Sequence, residues 1–117
     1  MANETKSRVL SEILKYEAPN RYSRETKTLS TNQTISLGEV LEDDGSNVKA
    51  GAVAGNIKYI AAEAVTTTSA TADIAVIARN AIVDKSLLTY NSLTEATVDA
   101  ALEAVGILPR VDVADGL

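Results

Sequence analysis

The spacing of apolar and polar residues changes along the chain, and its middle part predicts short strands. Residues 57–65 and 72–83 are the best strand candidates, because apolar positions there alternate with polar ones or form short β-branched runs. Residues 26–30 and 35–41 follow the same pattern more weakly, with a glycine as the expected bend inside the second segment. Residues 43–47 combine Asp, Gly, Ser and Asn, which is typical of a tight turn.

One amphipathic helix is predicted near the end of the chain. Ser92 and Glu95 match a capping box, in which the Ser hydroxyl and the Glu carboxylate accept the first backbone amides of a helix. Gly106 stands where a glycine commonly ends a helix, and residues 107–113 predict a short closing strand. The helix has an apolar stripe at helical spacing, formed by Val98, Ala101, Leu102 and Val105. The fold class predicted is therefore mostly β, a small barrel- or sandwich-like body with one short C-terminal helix.

Residues 1–27 differ from the rest of the chain and predict a flexible N-terminal arm ahead of a body formed by residues 28–117. This segment has six basic and four acidic residues, whereas the remainder has five basic and twelve acidic ones. Residues 7–16 have the apolar spacing of one helix face, but a helix of this length is marginal alone in water. Tyr16 and Tyr22 are then either exposed linker residues or anchors for a partner surface.

Composition favours a single folded domain with an unusual core. The chain has 117 residues, of which 45% are hydrophobic, so it is not composed like a disordered segment. Only 3% are aromatic, all four of them Tyr. Aliphatic side chains and Thr must fill the interior, and each buries less area than an aromatic ring. We therefore expect contacts between subunits to supply part of the buried surface.

Charge and missing residue types narrow the possible functions. The net charge of −5 disfavours binding to a phosphate backbone, which needs clustered Lys and Arg. His and Cys are absent, which removes the imidazole base, thiol nucleophiles, disulfides and the usual zinc ligands. No apolar run approaches the ~20 residues that span a bilayer. The sequence thus predicts no enzyme, cofactor, metal, nucleic acid or membrane, although an active site of carboxylates alone stays open.

The remaining candidate sites have plain structural interpretations. Residues 43–47 lack the alternating ligands of a calcium loop, so a turn is favoured. Glu39 and Glu42 are three apart on a predicted strand and would point to opposite faces, which favours solvated edge charges over a catalytic pair. Arg79, at the end of a hydrophobic segment, is either a structural ion-pair partner or a contact between subunits.

Four segments, in order, resemble the lambda-type phage head decoration protein family. They are the Tyr-Ser-Arg-Glu segment that opens residues 22–29, residues 35–41, the Arg-x-Ala stretch within residues 77–88, and the Leu-x-x-x-Gly-Ile-x-x-Arg ending at residues 102–110. Glu42 departs from the pattern, because the family often has Gly after Val-Leu.

The resemblance implies a homotrimer on the outer surface of the phage head, made in the host cytoplasm. Such trimers cement the expanded shell at its threefold positions against the pressure of packaged DNA, and the arm orders on contact with the major capsid protein. On this hypothesis the arm docks through Tyr16, Tyr22, Arg24 and Leu29, and Arg79 is a subunit contact. The alternative is an oligomeric β module of a phage tail or surface adhesin that binds a receptor.

Overall fold

The computed structural model describes residues 13–17 and 23–111, and these ranges contain ten strands and one helix longer than a single turn. The strands are β1 Leu14–Glu17, β2 Arg24–Leu29, β3 Thr34–Ile35, β4 Val40–Asp44, β5 Asn47–Ala50, β6 Ile57–Ala61, β7 Val65–Thr66, β8 Ala72–Ile77, β9 Ala81–Asp84 and β10 Ile107–Arg110, and the helix is α1, Glu95–Ala104. Short 3-10 turns lie at Ala54–Asn56 and Lys85–Leu87. The prediction of a mostly β fold with one C-terminal helix is confirmed.

Five strands close into a barrel in the order β2-β5-β4-β6-β8. The β4–β5 hairpin turns at Gly45, whose φ of 70° suits glycine, so the predicted turn at residues 43–47 is confirmed. Closure leaves no free barrel edge. The alternate side chains of the strands point inward and form a wholly aliphatic core, which includes Leu29, Leu41, Val48, Ile74 and Val76.

A second layer packs against the outside of the barrel. It consists of a three-stranded sheet in the order β1-β9-β10, with β9 antiparallel to β1 and parallel to β10, together with α1. Val98 and Leu102 are the fully buried residues of the helical stripe. Ile13, just before β1, is also fully buried in this second core. Strand β3 follows β2 in the chain and pairs with β7 in a separate two-stranded antiparallel sheet.

Several predicted boundaries are wrong. Residues 35–41 are divided between β3 and β4, and the strand predicted at residues 57–65 ends at Ala61. Residues 72–83 form two strands, β8 and β9, because Asn80 adopts a left-handed backbone with φ of 48° and carries the chain from the barrel to the second sheet. Helix α1 begins after Thr94 rather than Ser92, and the Thr94 side chain makes no capping hydrogen bond. Ser92 itself is left-handed, with φ of 63°, so the capping box does not form. The helix ends at Ala104, and Gly106 has the left-handed backbone expected of a glycine just beyond a helix, with φ of 88°.

The predicted division at residues 27 and 28 falls inside strand β2. Leu14–Glu17 is strand β1, so the helix predicted for residues 7–16 does not extend that far. Arg24–Leu29 closes the barrel through six register pairs with β8. Pairing with distant strands overrides the weak local pattern, and the sequence alone does not show those partners. The rest of the predicted arm, residues 1–12 and 18–22, lies outside the described residues.

Candidate interaction surface

Three apolar residues form a row across the outer face of the β1-β9-β10 sheet. The strand register places Tyr16 beside Ile82 and Ile82 beside Leu108. Side chains at paired positions lie about 5 Å apart on the same face, so the three make one continuous stripe. The alternate residues of β9 and β10 are buried on the other face, toward α1. The stripe therefore faces away from both cores.

The stripe lines an open groove of about 410 Å³. Asn80, Ala81 and Gly106 complete its lining, and none of the lining residues is charged. Tyr16 is 51% exposed, which makes it one of the most exposed large apolar side chains in the described ranges. A surface of this kind, apolar and open with an aromatic residue at its edge, is typical of a site that binds another protein.

Asn80 and Gly106 shape one end of the groove. Asn80 is exposed, and its backbone carbonyl accepts a 2.7 Å hydrogen bond from Oγ of the buried Ser23. Gly106 is left-handed, and a Cβ there would lie 3.2 Å from the Asn80 backbone nitrogen. The close approach and the positive φ together explain why glycine stands at this position.

The structure separates the residues predicted to dock. Tyr16 lies at the groove, whereas Tyr22 lies outside the described residues. The guanidinium of Arg24 donates two hydrogen bonds, both 2.8 Å, to the Glu17 carboxylate and so links β2 to β1. Leu29 is fully buried in the barrel core. Its assignment to a docking surface is therefore corrected, because contact with a partner would require opening the barrel.

Arg79 forms an ion pair within the chain, between its guanidinium and the Glu25 carboxylate at 2.8 Å. Lys27 lies 3.8 Å from the same carboxylate and 5.3 Å from the centre of the Tyr59 ring. The interpretation of Arg79 as a structural ion-pair residue is therefore supported, with Glu25 as its partner. A contact between subunits stays a prediction.

Glu39 and Glu42 correct the expectation of solvated edge charges, since they are only 7% and 4% exposed. The Glu39 carboxylate accepts a hydrogen bond from the Ser36 backbone amide at 2.9 Å. Glu42 accepts from the amides of Ala52 and Val53 at 2.9 and 3.0 Å. Turn amides that lack a strand partner need acceptors, and these side chains supply them. Both carboxylates are engaged with backbone.

A polar network joins α1 to the segment before it. The Asp99 carboxylate accepts hydrogen bonds from the Lys85 ammonium and from the Tyr90 hydroxyl, the latter at 2.6 Å. The hydrogen bond to Asp99 raises the pKa of Lys85 above its usual 10.5. Burial, together with the bond to Asp99, raises the pKa of Tyr90 well above its usual value of 10.0. The network holds the helix against the 3-10 turn.

The groove residues Ile82 and Leu108 were not predicted from the sequence. Each is an apolar residue at a strand position whose side chain points away from the core. An apolar residue at such a position is the one sequence signal of an exposed binding surface on a sheet. The register that joins them to Tyr16 depends on three segments far apart in the chain. Within residues 13–17 and 23–111, no group of acidic side chains is arranged to hold a metal, and no helix is long and apolar enough to cross a membrane.

A closed β-barrel with an exposed apolar groove on its outer sheet is typical of a protein that binds other proteins. Comparison with models of protein families identifies the family to which the chain belongs. The model for bacteriophage lambda head decoration protein D matches residues 3–108, and the chain therefore belongs to this family. No curated protein and no solved structure matches it. The resemblance noted in the sequence is confirmed, and membership gives the protein a role in decorating the phage head.

Proposed function

We propose that the protein binds the outside of the expanded phage head as a homotrimer. It occupies the threefold positions of the shell, contacts the major capsid protein and stabilises the shell against the pressure of packaged DNA. The family match over residues 3–108 carries this proposal. A reaction has no part in it, because decoration acts by binding alone.

Trimer formation is supported by the composition of the two cores. The largest fully buried side chains in the described ranges are Ile, Leu and Val. Aliphatic side chains bury less area than aromatic rings, so a chain of this size gains from further burial between subunits. Formation of a trimer also brings three docking segments together on one particle.

The N-terminal segment, residues 1–12, is the proposed capsid-docking arm, now shortened from the predicted 1–27. If it adds a strand to a capsid sheet, about five backbone hydrogen bonds contribute ~1 kcal/mol each. Ordering about five residues costs a similar total at ~1–2 kcal/mol each. One arm is therefore close to neutral. Three arms on one trimer act at effective concentrations in the millimolar range, which makes attachment stable only where all three can bind.

The requirement for three simultaneous contacts explains why binding would depend on the state of the shell. Expansion changes the spacing of the docking sites, so unexpanded procapsids would bind weakly. The net charge of −5 disfavours contact with DNA, so packaged genome would not be needed. A ligand that binds only the expanded shell also stabilises that state.

Co-sedimentation with procapsids, empty expanded shells and full heads tests the proposal. We expect binding to expanded shells and full heads alike, weak binding to procapsids, and a raised disruption temperature of the decorated shell. Equal binding to procapsids, or binding only in the presence of DNA, would contradict the mechanism. Light scattering of the free and shell-bound protein measures its mass. A monomer in both states would contradict the proposed trimer.

A further inference from the structure

The Tyr16–Ile82–Leu108 stripe has no function so far, although it lines an open groove on the described part of the chain. We propose that its groove binds an extended segment of the major capsid protein that carries an uncharged apolar side chain. This inference rests on the proposed function and names the second contact of the same interface. The docking arm would be the first contact and the groove the second.

The position of the groove argues for the capsid as its occupant. Tyr16 is four residues from the end of the proposed docking arm, so at ~3.3–3.6 Å per residue the groove lies within about 14 Å of it. An arm bound to the capsid would bring this face of the sheet close to the capsid surface. The groove and the arm would then form one continuous interface.

The chemistry of the groove selects an apolar, uncharged side chain. No charged residue lines it, and two charged residues of the flanking strands are paired elsewhere, Glu17 with Arg24 and Arg110 with Glu103. A charged partner residue would lose its hydration without gaining a counter-charge. An apolar side chain beside Tyr16 would gain burial, and Tyr is among the residues that contribute most at interfaces.

Asn80 gives the groove a polar end that suits a peptide backbone. Its exposed side chain carries both an amide donor and a carbonyl acceptor, which match the two polar groups of an extended residue. The side-chain oxygen lies 3.5 Å from where a Cβ of Gly106, another lining residue, would stand. The bound segment would thus be held by one apolar side chain and by backbone hydrogen bonds to Asn80.

The free edge of β10 is a poorer place for a partner strand. The Ala81 amide donates to the Gly106 carbonyl, so residues 106 and 108 direct their polar backbone groups toward β9 and residues 107 and 109 direct theirs outward. Position 109 is Pro, which has no amide to donate. Binding on the face of this sheet is therefore favoured over strand addition beside β10.

Binding of variants to undecorated expanded capsids tests the inference, with the affinity read from co-sedimentation. Tyr16→Ala should weaken binding about tenfold or more, whereas Tyr16→Phe, which keeps the ring, should stay within about threefold. Val53→Ala is the matched control, because Val53 is 52% exposed and lies outside the groove, and it should bind like the wild type. The thermal transition of each variant is measured alongside.

Asn80→Gly is the second variant and separates binding from folding. Glycine accepts the positive φ without strain, so the fold should be retained, while loss of the amide should weaken capsid binding. Wild-type affinity in both Tyr16→Ala and Asn80→Gly would overturn the inference and leave the proposed function standing. Loss of the trimer in Tyr16→Ala would also overturn it, since the occupant would then be a second copy. Failure of the wild type to bind any capsid would overturn the proposed function as well.

Discussion

Glu42 and Gly51 fix the same turn by different means. The Glu42 carboxylate accepts the amides of Ala52 and Val53, while Gly51 lets the chain pass close to Ile57 and Val40. The sequence pattern predicted Glu42 to be a solvated edge charge, because its spacing from Glu39 placed the two on opposite faces of a strand. Whether a carboxylate is exposed or serves a turn depends on which amides lack a partner, and that is decided by the fold.

Replacement of Glu42 should destabilise the fold by removing that acceptor. Glu42→Ala leaves the two turn amides of Ala52 and Val53, which lie in a partly buried place, without their acceptor and should lower the free energy of unfolding by about 1–3 kcal/mol. Glu42→Gln keeps an oxygen acceptor and should cost about 1 kcal/mol. Glu103→Ala, in an exposed ion pair with Arg110, is the control and should stay within about 0.5 kcal/mol. Urea unfolding measures all three, and equal loss in Glu42→Ala and Glu103→Ala would refute the assigned role.

The two glycines at positions 51 and 55 should respond oppositely to alanine. A Cβ at Gly51 would lie 2.3 Å from Cδ1 of the buried Ile57 and 3.1 Å from the Val40 carbonyl oxygen, so Gly51→Ala should cost about 1–3 kcal/mol. A Cβ at Gly55 meets nothing within 4 Å, so Gly55→Ala should be neutral or stabilise by up to about 1 kcal/mol. The difference in thermal midpoint between the two variants is the readout, and equal midpoints would show that this contact relaxes freely.

At the level of elements, sequence patterns predicted the kinds of element better than their ends. The helix stripe and the glycine after it were predictable, because both depend on residues a few positions apart. The break between β8 and β9 was not, since apolar residues resume directly after the polar pair Arg79 and Asn80. Strand β1 was missed because its partner β9 is more than 60 residues away. Tertiary pairing decided these cases.

The link between α1 and the 3-10 turn should fail at alkaline pH. In the unfolded chain Tyr90 and Lys85 lose their protons near 10.0 and 10.5, whereas in the folded protein both pKa values are raised. Their contribution to stability is therefore complete below about pH 10 and is lost as the pH rises above it. Tyr90→Phe removes the contribution of the tyrosine to this pH-dependent stability. The thermal midpoint of the variant should therefore fall less steeply than that of the wild type between about pH 9 and 11. If the thermal midpoints of the variant and the wild type fall in parallel as the pH rises, Tyr90 does not contribute to the pH dependence of stability.

At the scale of the molecule, the barrel and the outer layer form two aliphatic cores, and strands β4, β6 and β8 contribute residues to both. Composition predicted an aliphatic core, and the described part of the chain contains two of them. The separation of the first residues from the rest, drawn from the charge difference, stays a prediction. The boundary predicted from charge, between residues 27 and 28, lies too far along the chain, because it falls inside β2. The charge pattern reflects polarity and not strand pairing. The groove could not be predicted as a site, since it depends on the register of β1, β9 and β10.

Two shortened chains test where the body begins. A chain that starts at Ile13 keeps both described cores and should unfold within about 5 °C of the full protein. A chain that starts at Thr28 loses β1, the buried Ile13 and four of the six pairs that join β2 to β8, so it should show no cooperative transition. Calorimetry distinguishes the two. A cooperative transition in the shorter chain would restore the boundary predicted from charge.

We propose above all that this protein decorates the expanded head as a trimer, and electron cryomicroscopy of the purified protein mixed with undecorated expanded capsids tests this most directly. We predict added density outside the shell at the threefold positions, with three copies of the barrel around each axis and the Tyr16 face turned toward the capsid. Added density inside the shell, at other symmetry positions, or as isolated single copies would contradict the account.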